Sequence, residues 1–462
     1  MLDIMKKALD SFSDKAVSFA DIRLEDRSGT NLYVTNGSLR SFNRTSTAGA
    51  VARALAGECW GTASSTRQFS EKEFLNLLEK AAKMAKACSK HSRRDIDLSG
   101  IKGIEKTVHQ QVKEDPRDVS TEEKIELLMN LDKAQKVNEK IVNTNSGYGD
   151  ARRVYRLVNT AGSKLEWDES RVLVFTQAVA REGSNVQFDF DKVDGTSGFE
   201  LARSVDPEAY GSNTAKGAIE LLLAEKPPSG RLTTVIDGNI AGLIVHEVCG
   251  HASEADEVVK GRSFLTGLVG KTIGTELVSM VDDGTLKGPA GTIPFDSEGT
   301  PSSRNVIIEN GVFKGYLHTL ETAMLMSVQP TGNGRAQDYN RRVFARMTNT
   351  FFGKGDWKDE EIVEDTKDGL FITKFTSGME DVVGGGVQGT ALKGYIIKNG
   401  EKTQLVRKLS IAGRVLELLK TVDAVGDTLS FSGGTCGKGE EDFIPVSSGG
   451  PNMRVELIVG GG

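Results

Sequence analysis

Long hydrophobic runs are missing from this chain. Its longest, such as AGLIV (241–245) and ELLLA (220–224), fall far below the roughly 20 apolar residues that span a bilayer, so no membrane anchor is expected. Proline is scarce as well, at 10 residues against 52 glycines. That balance speaks for tight turns and closely approached backbone, and against disorder. Basic stripes and polybasic tails are absent. The 58 Lys and Arg are mixed along the chain with 64 Asp and Glu, for a net charge of −6. No nucleic-acid or membrane-surface partner is expected from such a balance. The first residues, MLDIMKKALDSFSDKA, have helical periodicity but neither a long apolar core nor a small-residue cleavage site, so they do not read as a secretory signal. Cysteine is rare too: Cys59, Cys88, Cys249 and Cys436 lie far apart. The expectation is a cytoplasmic protein with reduced thiols, in which a cysteine that matters acts as ligand or nucleophile.

What is present is one pattern that occurs twice. Strand candidates at 20–27, 30–44 and 48–64 precede a helix pattern at 70–90, with Ser70 and Glu73 as a capping box. After a polar stretch around 90–118, a helix pattern at 120–138 opens with Ser120 and Glu123. Strand candidates at 141–150, 152–170 and 171–191 follow, then a helix pattern at 214–227. Pro227, Pro228, Ser229 and Gly230 mark a break. Beyond it come short β-like runs with glycine turns. Asn310-Gly311 and Asn399-Gly400 sit between alternating runs as hairpin signals. Two helices are expected among these runs, one over HEVCGH and one over LSIAGRVLELLKTVDAV (409–425). The predicted fold class is α+β. Its N-terminal α/β region is built of strand-helix units that repeat in pattern, and a mainly antiparallel β domain carries a metal-binding helix. The expected domains are 1–110, 111–226 and 227–462.

The stretch with chemistry in it is GLIVHEVCGHASEAD (242–256). In the zinc-peptidase signature H-E-x-x-H, two histidines four residues apart share a helix face. Here His246 and His251 are five apart, which separates them by roughly 140° on a regular helix. A one-residue π-bulge, or a loosened turn at Gly250, would restore the shared face. Two histidines satisfied on a core helix remain the alternative at this point. Further donors near the motif are Cys249, Glu254, Asp256 and Glu257. A distant one is Cys436, set among Gly433, Gly434, Gly437 and Gly439. Cys249, beside two candidate ligands, is expected to point away.

Four separated motifs carry a resemblance. HEVCGHASEAD (246–256), PFDSEGTPSSRNVIIENGVFKGYL (294–317), TGNGRAQDYNRRVFARMTNTFF (331–352) and GGTCGKGEEDFIPVSSGGP (433–451) occur in this order. Together they resemble the TldD-like members of the TldD/PmbA family, over most of residues 225–462. The resemblance implies a zinc metallopeptidase with an H-E-x-x-x-H motif. It implies one Zn2+ per chain, held by His246, His251 and Cys436, with Glu247 as the catalytic glutamate. It also implies small or unfolded peptides as substrates, and a dimer, either of two copies or with a PmbA-like (TldE) chain. The alternative within the family is a non-catalytic partner or scaffold subunit, which the complete set of four residues disfavours.

The mechanism expected from such a site is peptide hydrolysis by metal-activated water, with Glu247 as general base. His318, Tyr316 and Arg346 could stabilise the oxyanion, with a structural role as the favoured alternative for each. The glycines Gly384, Gly385 and Gly386 in DVVGGGVQGTALKGYII would let a peptide main chain approach a strand edge.

Overall fold

Asparagine-glycine pairs close three hairpins of the computed structural model. Asn36-Gly37, Asn310-Gly311 and Asn399-Gly400 have positive φ at both residues, the backbone that a two-residue turn between right-twisted strands requires. The structure describes residues 1–462 without 68, 91, 93–95 and 462, and without the side chain of Val248. The polar stretch at 90–118 and the end of the MRVELIVGGG strand therefore lie partly outside the described residues.

The twice-occurring pattern becomes one sheet. Strands β1 (Phe19–Thr35), β2 (Ser38–Ala56) and β3 (Cys59–Ser65) form a meander, and β4 (Glu105–Val108) follows. A second meander consists of β5 (Ile141–Asn159), β6 (Lys164–Glu182) and β7 (Asn185–Gly195). The two meet through antiparallel pairing of β1 with β5, so the order is β3-β2-β1-β5-β6, with β7 and β4 both paired to β6. Helix α1 (Leu2–Ser11) precedes the first meander and α2 (Glu71–Ser89) follows it. Helix α3 (Thr121–Ala134) precedes the second; a short α4 (Glu200–Arg203) and α5 (Pro207–Leu223) follow. Ser70 and Ser120 accept from the backbone N–H groups of Glu73 and Glu123, which caps α2 and α3 with the serine half of the capping box.

On β1 the alternation reads as one buried and one solvated face. The structure buries both. Ala20, Ile22 and Leu24 pack against Met5, Leu9, Phe74 and Leu78. Asp21, Arg23 and Glu25 are also buried, because the C-terminal half of the chain lies over that face. Arg53 bridges Asp21 and Glu298 there, with Nη1 3.0 Å from Glu298.

The C-terminal part is mainly β. Strands β8 (Gly230–Ile236), β9 (Met280–Asp283), β10 (Arg304–Glu309) and β11 (Val312–Phe313) come first, then the short β12 (Gly334–Arg335) and β13 (Phe344–Ala345). After β14 (Asn349–Phe352) come the long β15 (Asp368–Asp381), β16 (Gly386–Lys398) and β17 (Glu401–Arg414). The chain ends with β18 (Ala424–Val425), β19 (Ser430–Lys438), β20 (Glu441–Gly450) and β21 (Met453–Gly461). β17, β16, β15, β8 and β21 close on themselves, because β17 also pairs with β21. A second sheet runs β11-β10-β9-β14-β20-β19. Helix α6 (Gly238–Ile244) packs between the closed sheet and this second sheet, and the largest apolar core surrounds it.

Two expectations are corrected. The run 409–425 is not one helix: Leu409–Arg414 ends β17, and only Val415–Leu418 is helical. Leu409 and Ile411 alternate inward with period two and close the barrel against β21, so strand pairing overrides the helical reading of the same letters. The cysteines are not all reduced. Cys59 and Cys88 form a disulfide, with Cα atoms 5.9 Å apart, where α2 lies along β3. Twenty-nine residues of separation concealed that proximity, and the cysteine-based argument for a reducing compartment falls with it.

Candidate metal centre

Asp237 starts the critical helix. Its carboxylate accepts from the N–H groups of Asn239 and Ile240, and α6 runs on from that cap. At Val245 the regular helix gives way to a π-turn, Val245–Gly250, followed by a 3-10 turn, His251–Ser253. The extra residue in the turn is the one that the five-residue histidine spacing demanded. Gly250 makes room at the crossing: a Cβ there would lie 2.1 Å from the Met347 sulfur and force that side chain to shift.

The π-turn brings both imidazoles to one point. His246 Nε2 and His251 Nε2 each lie 3.2 Å from Cys436 Sγ. The two rings stand nearly perpendicular, at 83°, with centroids 5.1 Å apart. Cys436 comes from β19, 190 residues after His246, where its strand pairs with β20. All three residues are buried. Glu247, on the same turn, is half-buried and forms a second group with His251 and Glu380 of β15. Leu243 and Glu247 reach the β15–β16 hairpin because Gly378 stands where a Cβ would meet them at 2.3 and 2.9 Å.

Burial and charge compete here. Burial pushes the Cys436 thiol up, but the two adjacent imidazoles outweigh it and hold the sulfur well below its ordinary value, as a thiolate. Burial likewise works against His246 and His251 as cations, yet Cys436 raises both, and Glu254 raises His251 further. Glu247 is pushed up to about 7, by burial first and by its hydrogen bond with Glu380. The Nδ1 of His246 is buried and has no partner among the described residues.

Cys249 points into the apolar core, as expected, and burial pushes its thiol up to about 12. Three other candidates take structural roles. Arg346 has no exposed surface. Its guanidinium donates to Glu441 Oε2 at 3.0 Å and to the Cys436 carbonyl at 2.7 Å, so it braces the cysteine strand and does not face a substrate. His318 is buried against the Thr322 hydroxyl, 3.3 Å away, and Tyr316 donates to the Leu265 carbonyl. Gly384 and Gly385 lie in the β15–β16 turn, and Gly386 pairs on both sides, with Asp381 and Arg414. No strand edge is open there. It is β15 that has one: beyond Ile372 its second side has no strand partner among the described residues, and Thr376–Met379 are exposed.

Glu380 and Lys438 were not foreseen. Glu380 is 133 positions from Glu247 and nothing in its local sequence marks it. Lys438 follows Cys436 by two residues, which puts both on one face of a strand, a signal that could have been read.

Family comparison agrees with this geometry. Residues 229–462 match the model of the PmbA/TldA metallopeptidase C-terminal domain. Residues 114–222 match its central domain, and residues 20–85 match domain 1. The chain belongs to the PmbA/TldD metallopeptidase family. A metalloprotease of Methanocaldococcus jannaschii is 35% identical over 96% of both chains. A zinc metalloprotease TldD homolog of Saccharolobus solfataricus is 29% identical over 62% of this chain and 63% of its own. Among solved structures, a Thermotoga maritima protein described as a modulator of a DNA gyrase superposes with a TM-score of 0.82 at 23% identity, covering 99% of this chain and all of that one. TldE from Thermococcus kodakarensis gives 0.75 at 20%, over 100% and 99%. At those identities the structural likeness speaks for the fold alone.

Proposed function

We propose that this family member is a zinc-dependent peptidase that hydrolyses small or unfolded peptides, with Glu247 as its general base. The observation that carries the reading is the convergence of His246 Nε2, His251 Nε2 and Cys436 Sγ at 3.2 Å spacings. Ordinary Zn–N and Zn–S bonds in a tetrahedral site set such donors roughly 3.5 Å apart, so the donor set fits the ion. Two imidazoles and a thiolate also suit zinc chemically, and three protein ligands leave one position open. Bound there, zinc would supply Lewis-acid polarisation of a peptide carbonyl and of water.

The chain's own residues account for the rest. Burial pushes Glu247 up to about 7 in the metal-free site, and a cation held beside it would draw it back toward the carboxylate that a general base requires. Glu247 can take a proton from the attacking water and return it to the leaving amine. A thiolate ligand donates more charge than a third imidazole, which moderates turnover. Substrate main chain adds along the open side of β15 at Thr376–Met379, beside Glu247. That mode selects extended peptides over folded proteins.

We further propose that the chain works as a dimer, with a second copy or a TldE-like chain, and that its parts divide at 1–110, 111–226 and 227–462. No helix among the described residues is long and apolar enough to cross a membrane. The reading of the chain as a non-catalytic partner is disfavoured by its complete set of His246, Glu247, His251 and Cys436. The test is metal analysis of the purified protein together with cleavage of unstructured peptides, with and without chelator. Stoichiometric zinc and chelator-sensitive cleavage are expected; a protein that cleaves equally well without metal would refute the reading.

A further inference from the structure

The two imidazoles of the centre are not held alike. His246 offers Nε2 to the sulfur and has no partner at Nδ1 among the described residues. His251 also offers Nε2, but its Nδ1 lies 3.1 Å from Glu254 Oε2. Glu254 is itself fixed. Lys438 Nζ lies 2.8 Å from the same oxygen and 2.6 Å from Asp256. Arg346 Nε stands 3.7 Å from the other oxygen, and the same guanidinium donates to the Cys436 carbonyl at 2.7 Å. Glu254 and Arg346 are both almost wholly excluded from solvent.

We propose that Glu254 is a positioning residue for the metal centre: it holds the His251 ring so that Nε2 faces the point shared with His246 and Cys436. The inference rests on the metal reading above. A carboxylate can only accept, so the Nδ1 proton of His251 is donated to Glu254 and the lone pair is left on Nε2, the form a ligand needs. Arg346 and Lys438 extend the hold to the other arm. One binds the Cys436 main chain and the other follows it by two residues, so His251 and Cys436 are braced through one buried carboxylate. His246 depends on the π-turn alone.

The experiment is a competition titration of cobalt or zinc against a chromophoric chelator, with the cobalt absorption bands as a reading of ligand geometry. Glu254→Ala is expected to weaken metal binding about 10–100-fold and to shift the bands. Glu254→Met keeps the volume without an acceptor, guards against collapse of the site, and should behave like Ala. Glu254→Gln keeps an acceptor oxygen and should recover most of the affinity and the wild-type bands. Ala and Met variants that match the wild type would overturn the proposal, and so would a Gln variant as weak as Ala. Wild-type protein that takes up no metal overturns this inference and the metal reading together. A wild type that loads normally beside unaltered variants overturns this inference alone.

Discussion

Two buried polar clusters in this molecule differ in one respect that separates scaffold from site. At the face between the N-terminal sheet and the C-terminal half, Asp21, Arg53 and Glu298 close on one another: Arg53 Nη1 is 3.0 Å from Glu298, and its Nε is 3.0 Å from Asp21. The donors point at acceptors, and charges of both signs are present. At the π-turn, Nε2 of two imidazoles and a thiolate sulfur point at one place, and the Nδ1 of His246 is unpartnered among the described residues. Three lone-pair donors aimed together cannot satisfy one another without a proton or a cation among them. A closed cluster needs nothing further; an open one needs a proton or a cation to complete it.

The largest effect is expected from breaking the open cluster. Cys436→Ser should reduce zinc to background and abolish peptide cleavage, read by elemental analysis and turnover on the same preparation. Full metal content in this variant would remove the cysteine from the centre. Glu247→Gln sharpens the contrast within the site. It should retain zinc and lose about 10²–10⁴-fold in turnover, and near-normal turnover would remove Glu247 from the mechanism. Arg53→Met breaks the closed cluster instead. It leaves Asp21 and Glu298 buried without a cation and should cost about 3–5 kcal/mol in urea unfolding, while metal per folded molecule stays unchanged.

The smallest effect is on pH dependence. In the metal-free protein Glu247 sits at about 7, above its ordinary 4.5. The folded state therefore binds this proton more tightly than the unfolded chain does. Its contribution to stability is complete below about pH 4.5 and is lost as pH rises through 7. Thermal melts of wild type should fall relative to Glu247→Gln across that window. Parallel curves would mean that Glu247 titrates as a solvated carboxyl.

Local rules are written in the sequence and were legible there. The Asn-Gly turns, the Ser caps of α2 and α3, the doubled helix-and-meander pattern and the α+β class follow from periodicity and turn chemistry. The spacing of His246 and His251 left a π-turn, or a loosened turn at Gly250, as the ways to one shared face, and the structure has the π-turn. The link to Cys436 was not written in spacing. It came from likeness between motifs, and only the approach of β19 to the π-turn makes it geometry.

Tertiary structure decided what depends on partners distant in sequence. Leu409–Arg414 is strand because β21 lies beside it, and Asp21, Arg23 and Glu25 are buried because another part of the chain covers them. Cys59 meets Cys88 because α2 packs along β3. Arg346 takes the structural role, as a brace, and the stretch without a second strand partner is β15 at 376–379, not the glycines at 384–386. A residue's type and local period fix what it can do; burial and the neighbour it meets fix what it does. Those depend on packing between segments that no local window of sequence contains.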